Sequence, residues 1–146
     1  GGFLLGFAAH GLAPLMTRDS LLPIIAPLVA AKGQGIAALV ASQPARFTAA
    51  DRLQEIPTDV SAALVAKIDS DTGLLLDKLG LSLDHIDRTD GVRMICTDAI
   101  VHLRPSGNAP ELRLYVEADS KARCQDLLGQ GLACLKALAP SRGTPA

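Results

Sequence analysis

The 146-residue sequence predicts an α+β fold built in two parts. Residues 1–55 fit the C-terminal remnant of an α/β domain, and residues 56–146 fit a small antiparallel sheet covered on one side by helices. Three observations predict this fold. Short strand-like segments follow one another from residue 84 to residue 118, amphipathic helical patterns lie on both sides of them, and a hydrophobic share of 49% is sufficient for a core.

The first part begins with a short apolar run between glycines, GGFLLGF at residues 1–7, which predicts a buried strand. In TRDS, Thr17 or Asp19 is expected to cap a following helix, because a side-chain oxygen there can accept bonds from free N–H groups. Pro23 then lies in the first turn of that helix, where a missing donor costs little. Residues 44–53 fit an extended edge strand, so this part has the pattern of what is left of a larger sheet.

The second part starts with a helix at Thr58–Ile68, where apolar residues recur at helical spacing and Thr58 or Asp59 is a suitable cap. LLLDKLG, a little further on, is long enough for two helical turns. The sequence DHIDRTDGVRMIC then predicts two strands joined at Asp90-Gly91, a dipeptide typical of hairpin turns.

Two further strands follow. IVHLR at residues 100–104 is the third, and ELRLYVEA at residues 111–118 has the clearest alternation in the chain. Side chains point alternately to the two faces of a sheet, so one face of each strand is predicted to be buried and the other to face water. This places Arg104 on the wet face, at the end of its strand and beside the loop that follows.

The last predicted element is an amphipathic helix that begins after Asp119, which is expected to cap it. Cys124 and Cys134 are expected to act as small hydrophobic side chains. The apolar residues that form one stripe along this helix are Cys124, Leu127, Leu128, Gly131, Leu132, Leu135 and Leu138.

Charge and composition argue against several classes of function. Fourteen basic and fifteen acidic side chains give a net charge of −1, and only 3% of residues are aromatic, so a nucleic-acid binder's basic excess and stacking surface are missing. The apolar stretch at residues 21–31 is too short to span a membrane and contains two prolines. Three histidines and three cysteines are scattered without the spacing of a metal site or a disulfide framework, which favours reduced thiols in a cytoplasmic protein.

The stretch RPSGNAP, between the third and fourth of these strands, combines groups that suit an anion. Arg104 can grip a phosphate with two N–H groups. The Ser106 hydroxyl, the Gly107 and Asn108 backbone N–H groups and the Asn108 carboxamide can donate to the remaining oxygens.

Arg113, on the wet face of the fourth strand, is a weaker candidate for the same anion, because it can instead pair with Glu111 or Glu117. Without knowledge of any family, Ser-Gly-Asn between two strands also fits an ordinary turn in which Gly or Asn adopts a positive φ. Both interpretations remain open at this point.

RPSGNAP followed by ELRLYVEA resembles the phosphate-binding loop and following strand in the last domain of the α-D-phosphohexomutases, the phosphomannomutase and phosphoglucomutase family. The family pattern runs Arg, any residue, Ser, Gly or Asn, Thr, Glu, Pro, with Arg-x-Tyr-x-Glu-Ala shortly after. DGVRMICTDAIVHLRPS resembles the strand pair before this loop, DRLQEIP the joint between domains, and GGFLLG with TRDSLLPII the end of the third, sugar-recognising domain. The likeness covers nearly the whole chain and is greatest to the phosphomannomutase branch. It implies that residues 1–55 end the third domain and that residues 56–146 form the fourth, whose fold is like that of the TATA-binding protein.

By this resemblance, Arg104, Ser106, Gly107 and Asn108 bind the phosphate that is not being transferred, at either end of a hexose 1-phosphate or 6-phosphate. The chain departs from the family pattern at two positions. Asn108 stands where the family often has Thr, and Ala109 stands where it often has Glu. A carboxamide therefore replaces a hydroxyl donor, and a neighbouring charge is missing.

The family's phosphoserine loop, Ser-His-Asn-Pro, its magnesium loop, Asp-Gly-Asp-Gly-Asp-Arg, and its sugar-binding loop do not occur in this sequence. The resemblance therefore implies a C-terminal piece of an isomerase that interconverts hexose 1-phosphate and 6-phosphate through a bisphosphate. Mg²⁺ and hexose 1,6-bisphosphate are expected to bind in preceding domains, and this piece alone, with no catalytic residue or metal ligand, is expected to be inactive. Mannose, glucose and glucosamine phosphates all remain open as substrates.

A function of a different class is also compatible with these residues, namely a stand-alone α+β binding or interaction domain without catalysis. The sequence starts at Gly1 within an apolar segment, without an initiator methionine or a secretory signal pattern. We therefore expect a longer reading frame that encodes the phosphoserine and magnesium loops upstream. A stand-alone domain would instead begin translation near Gly1.

Overall fold

The computed structural model describes residues 3–8 and 11–139, apart from the side chains of residue 3 and residues 17–19. The chain divides into two compact units, Gly1–Ala45 and Arg46–Ala146. The described elements of the first unit are two antiparallel strands, β1 (Phe3–Leu5) and β2 (Leu15–Asp19), followed by helices α1 (Leu22–Ala30) and α2 (Ile36–Ala41).

The predicted elements of the first unit are partly confirmed. A strand does lie within residues 1–7, at Phe3–Leu5, and Pro23 does lie in the first turn of α1. The predicted burial of this strand is wrong in part, because Leu5 is buried but Leu4 is 53% exposed. The predicted cap was wrong, because the segment Leu15–Asp19 is a strand and α1 begins after Leu21 without a side-chain cap.

The second unit contains a five-stranded antiparallel sheet, which confirms the predicted α+β fold. The hairpin at Asp90-Gly91 joins two of its strands, as predicted. The strands are arranged in the order β3-β7-β6-β5-β4, so that β3 and β4 are the edges. Their bounds are β3 (Phe47–Gln54), β4 (Leu83–Asp87), β5 (Val92–Cys96), β6 (Ala99–Pro105) and β7 (Glu111–Ala118).

Strand β3 was expected in the first part, whereas the structure places it in the second unit. It pairs with β7 over eight residues, from Phe47 opposite Ala118 to Gln54 opposite Glu111. The prediction that this segment is an edge strand is confirmed. Its partner lies far away along the chain, and the local sequence carries no signal for which sheet an edge strand joins. The assignment of residues 1–55 and 56–146 to two family domains stays a prediction.

Three helices lie in the second unit: α3 (Thr58–Ser70), α4 (Gly73–Leu79) and α5 (Lys121–Leu138). All three were predicted, but the predicted caps were wrong. Pro57 occupies the cap position of α3 without a side-chain bond, which moves Thr58 and Asp59 into its first turn.

At α5, the cap is Ser120 rather than Asp119. Ser120 has an extended backbone, and its side chain accepts a hydrogen bond from the Arg123 N–H at 3.2 Å. The sequence offers two adjacent capping residues, and the backbone after β7 decides which of them reaches the helix.

One continuous core joins these helices to the inner face of the sheet. Leu114 on β7 is fully buried, and a Cβ added to Gly131 of α5 would stand 2.7 Å from its Cδ2 atom. Gly131 thus permits the close approach of helix and sheet. The predicted stripe is confirmed, since its residues are either buried (Cys124, Leu127, Leu128, Gly131, Leu135) or partly buried against the core (Leu132, Leu138).

The outer face of the sheet carries the polar side chains of the same strands. Along β6 and β7 the buried residues alternate with partly exposed ones, as the sequence pattern predicts. We call this surface the open face, and its polar residues on the four strands β3, β7, β6 and β5 include Arg52, Arg93, His102, Arg104, Glu111, Arg113, Tyr115 and Glu117.

All three cysteines are free thiols, with Cys96 and Cys124 buried and Cys134 partly buried. In the described ranges, no helix is both long and apolar enough to cross a bilayer.

Candidate functional site

The loop RPSGNAP leaves the sheet at the point where two arginines face each other. Arg104 near the end of β6 lies directly opposite Arg113 of β7, and the pair Pro105 and Leu112 closes the ladder next to them. Ser106 N–H then donates to the Glu111 carbonyl oxygen at 3.1 Å, which fixes the base of the loop. Both guanidinium groups therefore start from the open face at the loop's base.

Ser106 organises the inside of the loop. Its hydroxyl oxygen is buried and accepts long hydrogen bonds from the N–H groups of Asn108, at 3.4 Å, and Ala109, at 3.3 Å. A serine hydroxyl can accept two hydrogen bonds and donate one. Arg113 Nη2 is a further long donor to this oxygen, at 3.5 Å. Each of these contacts uses the oxygen as acceptor, so the Ser106 proton can turn to an additional acceptor.

Gly107 and Asn108 are the exposed tip of this loop. Neither residue has a positive φ, so the backbone conformation that an ordinary Gly or Asn turn requires is not the reason for their presence. A Cβ added at Gly107 would meet no heavy atom within 4 Å. The fold itself therefore does not require glycine at this position, and the bare backbone there is compatible with close approach by a bound group.

Arg104 is turned away from the loop, towards the turn between β4 and β5. Its Nε lies 3.0 Å from Asp90 Oδ1, and both side chains are well exposed, 43% for Arg104 and 59% for Asp90. The same turn packs closely against β6. Gly91 has φ +85°, and a Cβ added to it would stand 2.2 Å from the Leu103 carbonyl oxygen, so only glycine fits there. An exposed ion pair of this kind contributes at most about 1 kcal/mol, so Arg104 can change partners at little cost.

Arg113 is held quite differently. Its Nε and Nη2 atoms donate to Glu111 Oε1 at 2.8 Å and 2.7 Å, and Nη2 also lies 3.5 Å from Ser106 Oγ. The hydrogen bond to Glu111, and then one with Tyr115, raises the pKa of Arg113. The predicted pairing with Glu111 is confirmed, and the Nη2 atom of this weaker candidate also contacts the Ser106 hydroxyl oxygen.

Arg52 and Glu111 extend the site beyond the residues that the sequence indicated. Arg52 of β3 lies opposite Arg113, and its Nε is 3.1 Å from Glu111 Oε2. Glu111 was noticed only as a partner for Arg113, although two residues of separation on one strand face already predicted their contact. Arg52 had no local signal, because its place follows from the pairing of β3 with β7.

The arrangement suits anion binding. Three arginine residues occupy one row of backbone positions across β6, β7 and β3, from Arg104 through Arg113 to Arg52, and the loop follows β6 at the end of that row. Arginine forks match the oxygens of phosphate in pairs, and backbone N–H groups complete such sites. Throughout residues 3–8 and 11–139, no group of three or more His, Cys, Asp or Glu side chains lies close enough to hold a metal ion.

The sequence of residues 43–130 matches the family description "Phosphoglucomutase/phosphomannomutase, C-terminal domain". A phosphomannomutase from Salmonella muenchen is 46% identical over 129 residues, which cover 83% of this chain and 27% of that protein. A phosphomannomutase from Sinorhizobium fredii is 40% identical over 146 residues, covering 92% of this chain and 30% of that protein. A probable phosphoglucosamine mutase from Methanopyrus kandleri is 29% identical over 100 residues, covering 68% of this chain and 20% of that protein.

A solved structure of a phosphoglucomutase/phosphomannomutase family protein from Burkholderia thailandensis has a similar fold. The TM-score is 0.58 at 24% identity, over 86% of this chain and 26% of that one. The chain thus spans less than a third of the length of each phosphomannomutase that it matches.

Proposed function

This chain belongs to the phosphoglucomutase/phosphomannomutase family, and we propose that its second unit binds the non-transferred phosphate of a hexose phosphate for a phosphohexomutase. The parent protein is then an isomerase of the phosphomannomutase type, which interconverts hexose 1-phosphate and 6-phosphate through a phosphoserine and a bisphosphate. The 46% and 40% identities to two phosphomannomutases support this choice within the family.

One observation carries the proposal: Arg104 and Arg113 face each other at the base of a loop whose exposed tip is Gly107 and Asn108. A phosphate placed there would take N–H groups from Arg104 after it leaves Asp90, and from Arg113 beside the Ser106 hydroxyl. The missing side chain at Gly107 lets a phosphate oxygen approach the loop backbone, where the Asn108 N–H would exchange its long bond to Ser106 Oγ, at 3.4 Å, for one to the anion. The departure at Asn108 substitutes an exposed carboxamide for a hydroxyl, which keeps a donor at the same position.

The role of this phosphate site in the reaction is positioning. Phosphoryl transfer depends mainly on alignment and charge neutralisation, and a substrate held at its distant phosphate presents the other end to the reacting groups. The described residues offer no ligand set that fits Mg²⁺. By the family resemblance, we place Mg²⁺, hexose 1,6-bisphosphate and the phosphoserine in preceding domains of a cytoplasmic parent protein.

Phosphate titration followed by backbone amide NMR tests the site. Inorganic phosphate is expected to shift the signals of Arg104 to Asn108 more than those of any other segment, with a Kd in the millimolar range or weaker, about 4 kcal/mol or less. Arg104→Ala is expected to abolish these shifts, because it removes the cation that is free to turn to the anion. Arg113→Ala is expected to weaken binding less.

Arg46→Ala is the matched control, since it removes another partly exposed arginine, paired with Glu117 at the far end of β7. It should leave the titration unchanged. Loop shifts in Arg104→Ala equal to those of the parent chain would contradict the phosphate site and favour a simple turn.

Enzyme assays test the proposal that this chain binds phosphate but does not transfer it. The chain alone is expected to show no conversion of hexose 1-phosphates or 6-phosphates, even with Mg²⁺ and a bisphosphate activator, because the transfer machinery is proposed to lie elsewhere. Measurable turnover would mean that a residue of this chain performs chemistry that the proposal does not include.

A further inference from the structure

Glu111 is a buried carboxylate at the start of β7, next to the loop that is proposed to bind an anion. It is 8% exposed, and among the described residues the other buried polar side chains are Ser61 and Ser106. A buried carboxylate is unfavourable unless it is paired, and a paired one often contributes little net stability compared with an apolar replacement. A contribution to stability is therefore a weak reason for its presence.

The contacts of Glu111 indicate another reason. Oε1 accepts two N–H groups of Arg113, at 2.8 Å and 2.7 Å, and Oε2 lies 3.1 Å from Arg52 Nε. Both oxygens are therefore used, and the two guanidinium groups come from different strands. Held in this way, Arg113 keeps its Nη2 atom 3.5 Å from Ser106 Oγ, at the interior of the loop.

Arg104 provides the comparison within the same row. Its partner Asp90 is mostly exposed, so nothing holds its side chain as firmly as Glu111 holds Arg113. The row thus contains one arginine that can move to an arriving anion and one whose direction is set beforehand. Fixing the orientation of a binding side chain before the ligand arrives raises affinity, because less conformational freedom is lost on binding.

We propose that Glu111 is a positioning residue of the phosphate site, which directs Arg113 at the loop and ties Arg52 to the site as a third cation. This inference rests on the proposed phosphate-binding function. The charges are consistent with it: the three arginines exceed the two carboxylates that they contact, Glu111 and Asp90, by one formal charge, so the site stays cationic.

The direction in which one substitution changes phosphate affinity separates this role from simple electrostatics. Glu111→Gln removes a negative charge next to an anion site, so charge repulsion alone predicts tighter phosphate binding. Positioning predicts weaker binding, because a neutral carboxamide holds Arg113 and Arg52 less firmly. We expect a loss of about fivefold, no larger than that of Arg113→Ala, which corresponds to about 1 kcal/mol.

Glu117→Gln is the matched control. Glu117 lies on the same strand and the same face, and it too accepts a hydrogen bond from an arginine, Arg46, at 2.9 Å. It is six residues from Glu111, about 20 Å along an extended strand. This variant should bind phosphate as the parent chain does.

A second readout reports positioning directly. Relaxation of the Arg113 Nε–H signal should show an ordered side chain in the parent and in Glu117→Gln, and a mobile one in Glu111→Gln, before phosphate is added. If Glu111→Gln does not fold, Arg52→Gln is the alternative variant, because it leaves Glu111 paired with Arg113. That variant should keep Arg113 ordered and weaken phosphate binding about twofold to threefold, as expected for one exposed cation.

The outcomes are distinct. If the parent chain does not bind phosphate at the loop, the proposed function fails and this inference fails with it. If the parent binds but Glu111→Gln binds equally well or more tightly, or if Arg113 is mobile in the parent, only the positioning role is overturned. In the Arg52→Gln arm, unchanged binding or a disordered Arg113 overturns it as well.

Discussion

The two units differ in what their apolar side chains contact. In the second unit, Leu103 and Leu114 are fully buried in a core that runs through the sheet and three helices. Among the described residues of the first unit, only Leu5 and Ala31 count as buried apolar side chains. Those of α1 remain largely in contact with water, with 45–60% exposure for Ile24, Ile25, Leu28 and Val29.

The comparison shows that apolar sequence alone does not make a core. Both units contain helices rich in Leu, Ile, Val and Ala, but only the second has a sheet broad enough to cover one face of its helices. A cluster of exposed apolar side chains is typical of surfaces that pack against other protein. This agrees with the expectation that the first part is the remnant of a larger sheet, which stays a prediction.

Hydrogen exchange should give the largest difference between the units. Amides of Phe3–Leu5 are expected to exchange on the order of 10³-fold faster, relative to their intrinsic rates, than those of Leu112–Val116. The reason is that β1 can open without disrupting a core, whereas β7 lies between two strands and opens only when the second unit unfolds at a cost of several kcal/mol. Equal protection of the two strands would contradict the comparison.

A pair of leucine truncations tests the same contrast by stability. Leu114→Ala is expected to lower the free energy of unfolding of the second unit by about 2–5 kcal/mol, because it leaves a cavity between β7 and α5. Leu28→Ala, in the exposed face of α1, should change stability by no more than about 0.5 kcal/mol. Urea unfolding followed by circular dichroism measures both, and the single tyrosine, Tyr115 on β7, reports the second unit separately. Similar losses in the two variants would show that the first unit also has a core.

The parts of this fold that were predictable are those coded locally. The alternation along β7 and the stripe of α5 each lie within one continuous segment, so their periodicity specifies the buried face. The cap of α5 was missed by one residue because Asp119 and Ser120 are equally suitable by type. The pairing of β3 with β7 is non-local, and no pattern within either strand specifies it.

The site follows the same division. The loop residues and Arg104 were predicted from a contiguous motif, and the position of Arg104 on the open face followed from strand alternation. The contact between Arg52 and Glu111 depends on the register of two strands that are distant in sequence. The turn of Arg104 towards Asp90 depends on the hairpin of β4 and β5, so it too required the folded structure.

Alkaline pH should weaken the second unit through Cys96, a buried thiol on β5. Burial, and then the charges of Asp84 and Asp98, raises the pKa of the Cys96 thiol to about 11 from an ordinary value of 9.0. The folded state therefore favours the protonated thiol. Its contribution is fully present below pH 9 and is lost as the pH rises from 9 through about 11, and the stability lost by pH 11 is about 2 kcal/mol.

The free energy of unfolding at pH 8 and pH 11 measures this effect, and Cys96→Ala controls for other titrating groups. The variant starts less stable because it loses buried volume, but it should lose about 2 kcal/mol less than the parent between these pH values. Equal pH dependence in the two proteins would mean that the Cys96 thiol does not contribute.

The smallest expected effect concerns the second unit's ability to bind phosphate by itself. Asp90→Asn removes the carboxylate that holds Arg104 at 3.0 Å, while asparagine before glycine still suits the hairpin turn. Arg104 then turns to the loop without first breaking an ion pair, and phosphate affinity should rise about twofold to fivefold, at most about 1 kcal/mol.

Asp98→Asn is the control, because its carboxylate is equally exposed and lies at the other end of β6, 3.9 Å from Arg123. It should leave affinity nearly unchanged, apart from a long-range charge effect that 0.15 M salt screens within about 8 Å. Amide NMR titration should show the tighter binding at Arg104 to Asn108 and no shifts in the first unit. An equal gain in both variants would indicate that net charge, rather than release of Arg104, sets the affinity.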